Sequence, residues 1–227
     1  MFVVIEGIDG SGKGTVTTKL LATLASAEVK AEKLSFPRYE NTSYGKLVGR
    51  YLNGDFGTEA HPYLHGTLFA MDRFESRDYL KNRLSNCDFV LCDRYIPSNL
   101  CYSAMKVEEG ERDALVRHFA KFEYGFLQMP VPDVIFFLDV PVKFAVQNIA
   151  KKATRSYTDK ASDIFEADEQ YLSRVRSFYM SELINYHPSS TCFQTVECVS
   201  NDSLKPIDEI VENVRGMLFQ MYERGID

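Results

Sequence analysis

The sequence lacks the features that mark membrane proteins and disulfide-stabilised proteins. No stretch approaches the ~18 uninterrupted apolar residues that a membrane span requires. Glu6 and Asp9 stand where a secretory signal would be basic and then apolar, so we expect no signal peptide. The 5 cysteines form no C-x-x-C pair, and neither a disulfide framework nor a zinc site is indicated. These absences predict a cytoplasmic protein that does not bind membranes.

An excess of positive charge is also absent. The chain has 26 Lys and Arg residues against 32 Asp and Glu residues, which gives a formal net charge of −6. A surface of this charge does not attract nucleic acid, so we expect no nucleic-acid partner and a small anionic ligand held by a local cluster of donors. Internal repeats and linkers rich in Gly, Pro and Ser are missing too. The 227 residues, 45% of them hydrophobic, therefore predict one domain spanning residues 1–227.

Short apolar runs alternate with longer stretches of helical spacing, which is typical of an α/β protein. The pattern predicts a three-layer doubly wound fold in which helices cover both faces of a parallel sheet. Strands are predicted at 2–6, 31–35, 88–92, 133–139 and 193–199. Helices are predicted at 13–27, 43–52, 59–84, 97–107, 110–127, 141–152, 162–186 and 205–223, and Pro62, Pro97, Pro141 and Pro206 lie near helix starts.

A glycine-rich run follows the first predicted strand and opens the first predicted helix. In that context G-x-x-x-x-G-K predicts a phosphate-binding loop, because successive backbone N–H groups point into a concavity the size of a phosphate. Lys13 adds a positive charge for the outer phosphates. The alternative, an ordinary tight turn, needs neither three glycines nor the lysine. The candidate ATP-binding residues are Gly7, Ile8, Asp9, Gly10, Ser11, Gly12, Lys13, Gly14 and Thr15.

Position 14 is unusual for such a loop. The Ser or Thr that commonly follows the lysine and ligates Mg²⁺ is replaced by Gly14, and Thr15 comes one residue later, turned ~100° round the helix. The G-K-G-T run resembles that of adenylate kinases, in which the metal is held largely by water and substrate phosphates. The motif therefore indicates a nucleoside triphosphate without indicating the reaction.

Asp93, Arg94 and Tyr95 follow the third predicted strand. Ligands of open α/β sheets bind at the carboxyl ends of the strands, so these side chains are expected beside the phosphate loop. Asp93 is a candidate for orienting Mg²⁺ through water, and Arg94 for bridging donor and acceptor phosphates. A surface Asp–Arg pair is the alternative.

With these motifs in place, the sequence resembles the thymidylate kinases, which transfer the γ-phosphoryl group of ATP to dTMP. The resemblance covers most of the chain. It rests on EGIDGSGKGT at 6–15, FPRY at 36–39, LFAMDR at 68–73, DRYIPSNLCYS at 93–103, PDVIFFLDVP at 132–141 and DIFEADEQYLSRVRSFY at 163–179. It implies a P-loop kinase with strand order 2-3-1-4-5, Mg²⁺ as cofactor and a homodimer.

The resemblance also implies an acceptor site. Phe69 and Arg73 lie four apart on a helix, where a ring stacks on thymine and a guanidinium donates to a base carbonyl. Asn99 reads the base edge and Tyr102 crowds the 2′ position of the sugar, whereas Ser98 is equally well explained as a helix cap. Arg38 and Tyr39 hold the acceptor phosphate, unless Arg38 is a solvated loop residue. The implied dTMP-binding residues are Asp9, Phe36, Pro37, Arg38, Tyr39, Phe69, Arg73, Arg94, Ser98, Asn99, Tyr102, Asp163, Phe165 and Glu166.

A polar segment at about 148–163 is predicted to form a lid over ATP, with Arg155 as its catalytic cation. Asn148 stands where many relatives have arginine. Asp163 and Glu166 approach the sugar and a metal ion by resemblance, although two acids in the first turn of a helix also suit its dipole. The implied catalytic residues are Lys13, Arg94, Asp9 and Arg155, and the implied metal-binding residues are Asp9, Asp93 and Glu166.

Three alternative functions stay open at this point. The G-K-G-T run is compatible with a kinase for another nucleotide or nucleoside. A non-catalytic P-loop module or GTPase-like switch is the second, although no N-K-x-D element follows an apolar strand. A DNA-binding ATPase is the third, and the acidic charge balance disfavours it.

Overall fold

A five-stranded parallel sheet forms the centre of the chain in a computed structural model that describes residues 1–57, 61–151 and 169–224. The strand order is β2-β3-β1-β4-β5, as the resemblance implied, so the predicted fold is confirmed. The strands are β1 (Phe2–Glu6), β2 (Ala31–Ser35), β3 (Phe89–Asp93), β4 (Val134–Asp139) and β5 (Cys192–Glu197), and a separate antiparallel pair follows as β6 (Val199–Ser200) and β7 (Ser203–Leu204).

Helices flank the sheet. They are α1 (Lys13–Ser26), α2 (Ser43–Leu52), α3 (Pro62–Glu75), α4 (Arg77–Asn86), α5 (Ile96–Ala104), α6 (Glu109–Ala120), α7 (Val142–Ala150), α8 (Glu169–Ser181) and α9 (Ile207–Arg224), with a π-helical turn at Lys121–Phe126 and a 3-10 turn at Leu183–Asn185. α1 packs on β1, β2, β3 and α9, whereas α5 packs on α3, α6 and α8. The central strand β1 is buried along its whole length, because it has a neighbour on each side and helices above and below.

Three predicted helices are wrong in their extent. Of the predicted helix 162–186, the structure describes the part from residue 169, where α8 ends at Ser181 and the 3-10 turn follows. The stretch 59–84 is two helices, α3 and α4, that meet at Ser76, whose backbone leaves the helical region at φ −97° and ψ 0°. Ser76 is buried and its hydroxyl accepts a hydrogen bond from Arg38 Nη1 at 3.0 Å, so a tertiary contact lies at the break. The stretch 110–127 is α6 followed by the π-helical turn.

The carboxyl ends of β1, β2 and β3 meet at one edge of the sheet. Ile5 pairs with Asp93, and Ser35 also pairs with Asp93, so the loops after these strands start side by side. None of the helices in the described ranges is long and apolar enough to cross a membrane. The candidate site residues follow these strand ends.

Candidate active site

The glycine-rich loop joins β1 to α1. Gly12 is the residue before the helix and adopts the left-handed region at φ 85°. A Cβ atom on Gly10 would lie 2.1 Å from the carbonyl oxygen of Ala145, so the loop passes directly against α7. In the described part of the chain no side chain caps α1, and its first two N–H groups, those of Lys13 and Gly14, have no intrahelical partner. This end of α1 is therefore suited to bind an anion.

Lys13 lies at the floor of this loop and is only 6% exposed. Its Nζ donates to the carbonyl oxygen of Ile8 at 2.7 Å and to Ser11 Oγ at 3.4 Å. Burial lowers the pKa of Lys13 to about 7, and the positive charge of Arg94 acts in the same direction. Because phosphate groups would supply negative charge, a bound nucleotide would restore the charge of this amine.

Asp93 lies against the first turn of α1. A Cβ atom at Gly14 would lie 3.0 Å from Asp93 Oδ2, so glycine at this position leaves room for the carboxylate. Among the residues that the structure describes, no cluster of three His, Cys, Asp or Glu side chains could hold a metal ion. A single carboxylate at this place fits a Mg²⁺ ion whose other ligands are water and phosphate oxygens, and it does not fit an ion caged by protein. Thr15 is exposed.

The glycine-rich loop and the loop after β3 are joined by a charged contact. Arg94 Nη2 donates to Asp9 Oδ1, and Tyr102 Oη donates to Asp9 Oδ2 at 2.7 Å while it accepts from the Asp9 backbone N–H at 3.1 Å. Arg94 has a positive φ of 66°, a conformation that costs a non-glycine residue roughly 1–2 kcal/mol. Burial alone would lower the pKa of Arg94, but the surrounding groups, Asp9 foremost and then Tyr102, Tyr179 and Glu6, together outweigh burial and raise the pKa, so the guanidinium stays charged.

Glu6 is a fully buried carboxylate at the end of β1 that organises the start of α5. It accepts hydrogen bonds from the backbone N–H groups of Tyr95 and Ser98 at 2.9 and 3.2 Å and from the hydroxyls of Ser98 and Tyr179 at 2.7 and 2.9 Å. Burial raises the pKa of Glu6. Tyr95 is the N-cap residue of α5, and no side chain caps this helix, so Ser98 is not a helix cap. The Ser98 hydroxyl instead accepts from Arg94 Nη1 at 3.0 Å, which links Glu6 to the guanidinium.

A cavity of about 320 Å³ opens beside the Asp9–Arg94 contact. The cavity is lined by most of the residues that the resemblance implied for dTMP, namely Asp9, Phe36, Pro37, Tyr39, Phe69, Arg73, Arg94, Ser98, Asn99 and Tyr102. The remaining lining residues are Asp93, Ser35, Leu52, His65 and Tyr95. The structure does not place Arg38 there. The Arg38 guanidinium lies on the other side of its loop, where it donates to Ser76 and covers the ring of Tyr79 at 5.2 Å.

The far end of the cavity carries a buried ion pair. Arg73 donates through Nε and Nη2 to the two carboxylate oxygens of Glu123 at 2.6 and 2.7 Å. Asn99 Nδ2 donates to the same carboxylate at 2.8 Å and to the Gly66 carbonyl oxygen at 3.0 Å. Burial alone would lower the pKa of Arg73, but Glu123, helped by Asp72 and Tyr95, raises it by more. Arg73 therefore remains a charged donor in an enclosed site.

Aromatic rings line the same end. Phe69 contacts the His65 ring with centroids 4.7 Å apart, and His65 also contacts Tyr51. Burial lowers the pKa of His65 well below its usual range, so the imidazole is neutral. A flat apolar surface next to charged donors suits a planar heterocycle.

Several predicted residues lie outside the described ranges. Arg155, Asp163, Phe165 and Glu166 are among them, as is the lid segment beyond residue 151. Asn148, at the start of that segment, is described, and its Nδ2 donates to the Gly10 carbonyl oxygen at 2.9 Å. α7 is therefore tied to the glycine-rich loop by a side chain in addition to close packing.

The sequence reasoning assigned no site role to Glu6, Glu123 or His65. Glu6 directly precedes the glycine-rich loop, and a carboxylate at the end of an otherwise apolar strand was the available signal. For Glu123, 50 residues from Arg73 along the chain, the local sequence carried no signal.

Comparisons with known proteins point to one family. The sequence model of the family described as thymidylate kinase matches residues 5–202. A thymidylate kinase from Mycobacterium tuberculosis (strain CDC 1551 / Oshkosh) is 31% identical over 180 residues, which are 79% of this chain and 84% of the relative. A probable thymidylate kinase from Methanocaldococcus jannaschii is 33% identical over 207 residues, 89% of this chain and 93% of the relative.

A solved structure of thymidylate kinase from Candida albicans shares the fold. The two chains superpose with a TM-score of 0.68 at 19% identity, over 96% of this chain and 91% of the other. The family match covers the glycine-rich loop, the Asp93–Arg94 loop and the whole cavity lining. This chain belongs to the thymidylate kinase family.

Proposed function

We propose that this chain transfers the γ-phosphoryl group of ATP to dTMP, giving dTDP and ADP. The observation that carries the proposal is the junction between two sites. The glycine-rich loop forms one site and the apolar cavity the other, and the Asp9–Arg94 pair stands between them. A reaction in which a phosphate at one site meets a phosphate at the other needs this arrangement.

The acceptor nucleotide occupies the cavity. The base stacks on Phe69 and forms hydrogen bonds at its edge with Arg73 and Asn99, and the sugar lies against Tyr102. The 5′-phosphate then points toward Arg94 and Tyr39. Arg38 enters this scheme only if its partly buried guanidinium leaves Ser76 and turns toward the cavity. Asp163, Phe165 and Glu166 keep the acceptor-site roles that the resemblance implies.

The donor nucleotide occupies the glycine-rich loop. Backbone N–H groups of the glycine-rich loop and of the first residues of α1, Lys13 and Gly14, hold its phosphates, and the Lys13 amine exchanges the Ile8 carbonyl for phosphate oxygens. Asp93 would hold Mg²⁺ through water, and Asp9 and Glu166 are the further candidate ligands. These side chains would thereby place the charge of a bound Mg²⁺ ion near the β- and γ-phosphate oxygens, whose negative charge it would offset. Arg155 from the lid segment is proposed as an additional cation.

The chemistry requires positioning and charge compensation more than proton transfer. The acceptor is a phosphate monoester whose second pKa is near 6, so its oxygen is already mostly anionic at pH 7. No general base is needed, which agrees with His65 being neutral and enclosed. Arg94 reduces the repulsion between the two phosphate groups, and its charge is maintained by Asp9.

Assembly and location are further parts of the proposal. We expect a homodimer, because Tyr63 and Leu64 on α3 are 43% and 42% exposed and Phe126 at the end of the π-helical turn is 79% exposed. We place the protein in the cytoplasm, where its five unpaired cysteines would stay reduced. Size-exclusion chromatography with light scattering measures the oligomeric state, and a monomer at micromolar concentration would contradict the dimer.

The activity is tested by incubating the purified chain with ATP, Mg²⁺ and one acceptor at a time. dTMP, dUMP, dCMP, AMP and thymidine are compared at equal concentration, and the diphosphate product is resolved by ion-exchange chromatography. We expect dTDP to form fastest. Dominant conversion of AMP would contradict the acceptor assignment, and absence of dTDP would favour a non-catalytic nucleotide-binding module. Lys13→Met serves as the control that removes the donor-site charge.

A further inference from the structure

We propose that Glu123 is a positioning residue that sets which pyrimidines the cavity accepts, by fixing the hydrogen-bonding direction of Arg73 and Asn99. The inference rests on the proposed function, because it concerns the base of the acceptor nucleotide. Glu123 is wholly buried in the π-helical turn, and it is not among the residues that line the cavity. It therefore acts through its two neighbours rather than on the ligand.

The first step is the orientation of the Asn99 amide. Its nitrogen faces the Gly66 carbonyl oxygen and the Glu123 carboxylate, and neither of these groups has a proton to donate. The amide therefore cannot turn over without placing an oxygen against two acceptors. Both Nδ2 protons are used, and Oδ1, which accepts from the Ser103 hydroxyl at 3.2 Å, keeps a second lone pair. Asn99 can only accept from a ligand.

The second step is the orientation of the Arg73 guanidinium. The Glu123 carboxylate accepts hydrogen bonds from Arg73 Nε and Nη2, and this bidentate contact fixes the plane of the guanidinium. In the described ranges, no protein atom accepts a hydrogen bond from Nη1. Arg73 lines the cavity, so its remaining protons are available to a ligand. Oε1 of Glu123 accepts hydrogen bonds from both Arg73 Nη2 and Asn99 Nδ2, so the guanidinium and the amide lie next to each other.

The result is a donor from Arg73 beside an acceptor from Asn99. A pyrimidine with a 4-oxo group and a protonated N3 offers the complementary pattern, and thymine and uracil both have it. Cytosine has a 4-amino donor and an unprotonated N3, so each of its groups would face a like group. Hydrogen-bonding sites that are fixed in this way reject the mismatched ligand strongly, because buried polar groups would be left unpaired.

Substitution of Glu123 should therefore change selectivity. In Glu123→Gln one carboxylate oxygen becomes an NH₂ group that faces N–H donors, so Arg73 loses its bidentate contact or Asn99 turns over to present its NH₂ to the base. We expect the ratio of kcat/KM for dTMP to kcat/KM for dCMP to fall about tenfold, mainly through a higher KM for dTMP. Glu123→Asp keeps the charge beside Arg73 and serves as the second variant should the first fail to fold. Glu111→Gln, an exposed position on α6, is the matched control.

The outcomes separate the inference from the proposed function. A fall of fivefold or more in the ratio, for either folded variant, supports the positioning role. A smaller change overturns it even if both rates drop, because a purely structural loss lowers the two substrates alike. The wild-type protein alone gives a further test. If its turnover of dCMP is within fivefold of its turnover of dUMP, the proposed donor–acceptor pattern is overturned. Failure of the wild-type protein to phosphorylate dTMP would instead refute the proposed function.

Discussion

Binding of ATP should place a proton on Lys13. Burial lowers the pKa of this amine to about 7 in the free protein, so at pH 8 roughly one molecule in ten carries the charge. The phosphate groups of the nucleotide restore the ordinary protonation state, because an ammonium next to phosphate oxygens is strongly favoured. At pH 8 we therefore expect uptake of roughly 0.9 proton per ATP bound. ATP affinity should fall about tenfold per pH unit from pH 7.5 to 9.

Isothermal titration calorimetry in two buffers of different ionisation enthalpy measures this uptake. The phosphate groups of the ligand titrate near pH 6, so they contribute little in the chosen range. Lys13→Met is the control, since it fills a similar volume without a titrating group. Equal proton uptake by the wild-type protein and by Lys13→Met at pH 8 would refute the reasoning, as would a wild-type affinity that does not depend on pH.

The same group links pH to the stability of the free protein. Its pKa is about 7 in the folded chain and 10.5 in the unfolded chain, so between these values the unfolded chain binds more protons. Stability from this group therefore rises with pH through that window, by about 1.4 kcal/mol per unit. Urea unfolding of the free protein at pH 7.5 and pH 9 should show the wild-type protein gaining roughly 2 kcal/mol relative to Lys13→Met. An equal change in both proteins would contradict the lowered pKa.

Three further substitutions test other parts of the site. Arg94→Met removes the charge between the two phosphate groups. We expect kcat to fall 10²–10³-fold, about 3–4 kcal/mol, with a smaller change in the KM for dTMP. Steady-state kinetics on the folded variant measure this, and an unchanged kcat would count against the bridging role. Tyr102→Ala removes the ring beside the sugar, so the preference for dTMP over its ribonucleotide, measured by kcat/KM, should fall roughly tenfold. A ratio that stays constant would mean that another group reads the sugar. Gly10→Ala places a methyl group against the Ala145 carbonyl and should lower stability by ~3 kcal/mol or more in urea unfolding. Gly110→Ala, in α6 with nothing near the added atom, should instead be neutral or stabilising by ~1 kcal/mol.

The parts of the site that the sequence predicted are those formed by neighbouring residues. The glycine-rich loop is a contiguous motif between a strand and a helix, so its position followed from the pattern. Phe69 and Arg73 are four apart on α3, and helical geometry brings them to one face. The strand order follows from the family resemblance, and no single strand indicates it.

The parts that were missed depend on contacts between distant segments. Glu123 meets Arg73 only because a π-helical turn after α6 carries it under α3, and no local pattern indicates such a turn. Arg38 occurs in the expected FPRY run, but its guanidinium donates to Ser76, outside the cavity, and the sequence does not indicate which way the side chain turns. The break between α3 and α4 was missed because 59–84 contains no internal glycine or proline near Ser76, and the hydroxyl contact at the break joins residues 38 apart.

The arrangement of charges explains how one carboxylate inside a phosphate-binding loop is compatible with that loop's function. Asp9 would repel phosphate if its charge were free, but both of its oxygens are engaged, one by Arg94 and one by Tyr102. The pair therefore carries little net charge, and it holds the guanidinium at the boundary between the two sites before either nucleotide arrives. Arg94 is also held from behind by Ser98, which Glu6 fixes in turn. Because this chain of contacts runs from the buried end of β1 to the boundary, the position of Arg94 is set by the sheet itself. Its positive φ fits the same conclusion, since a strained backbone persists only where surrounding contacts determine it.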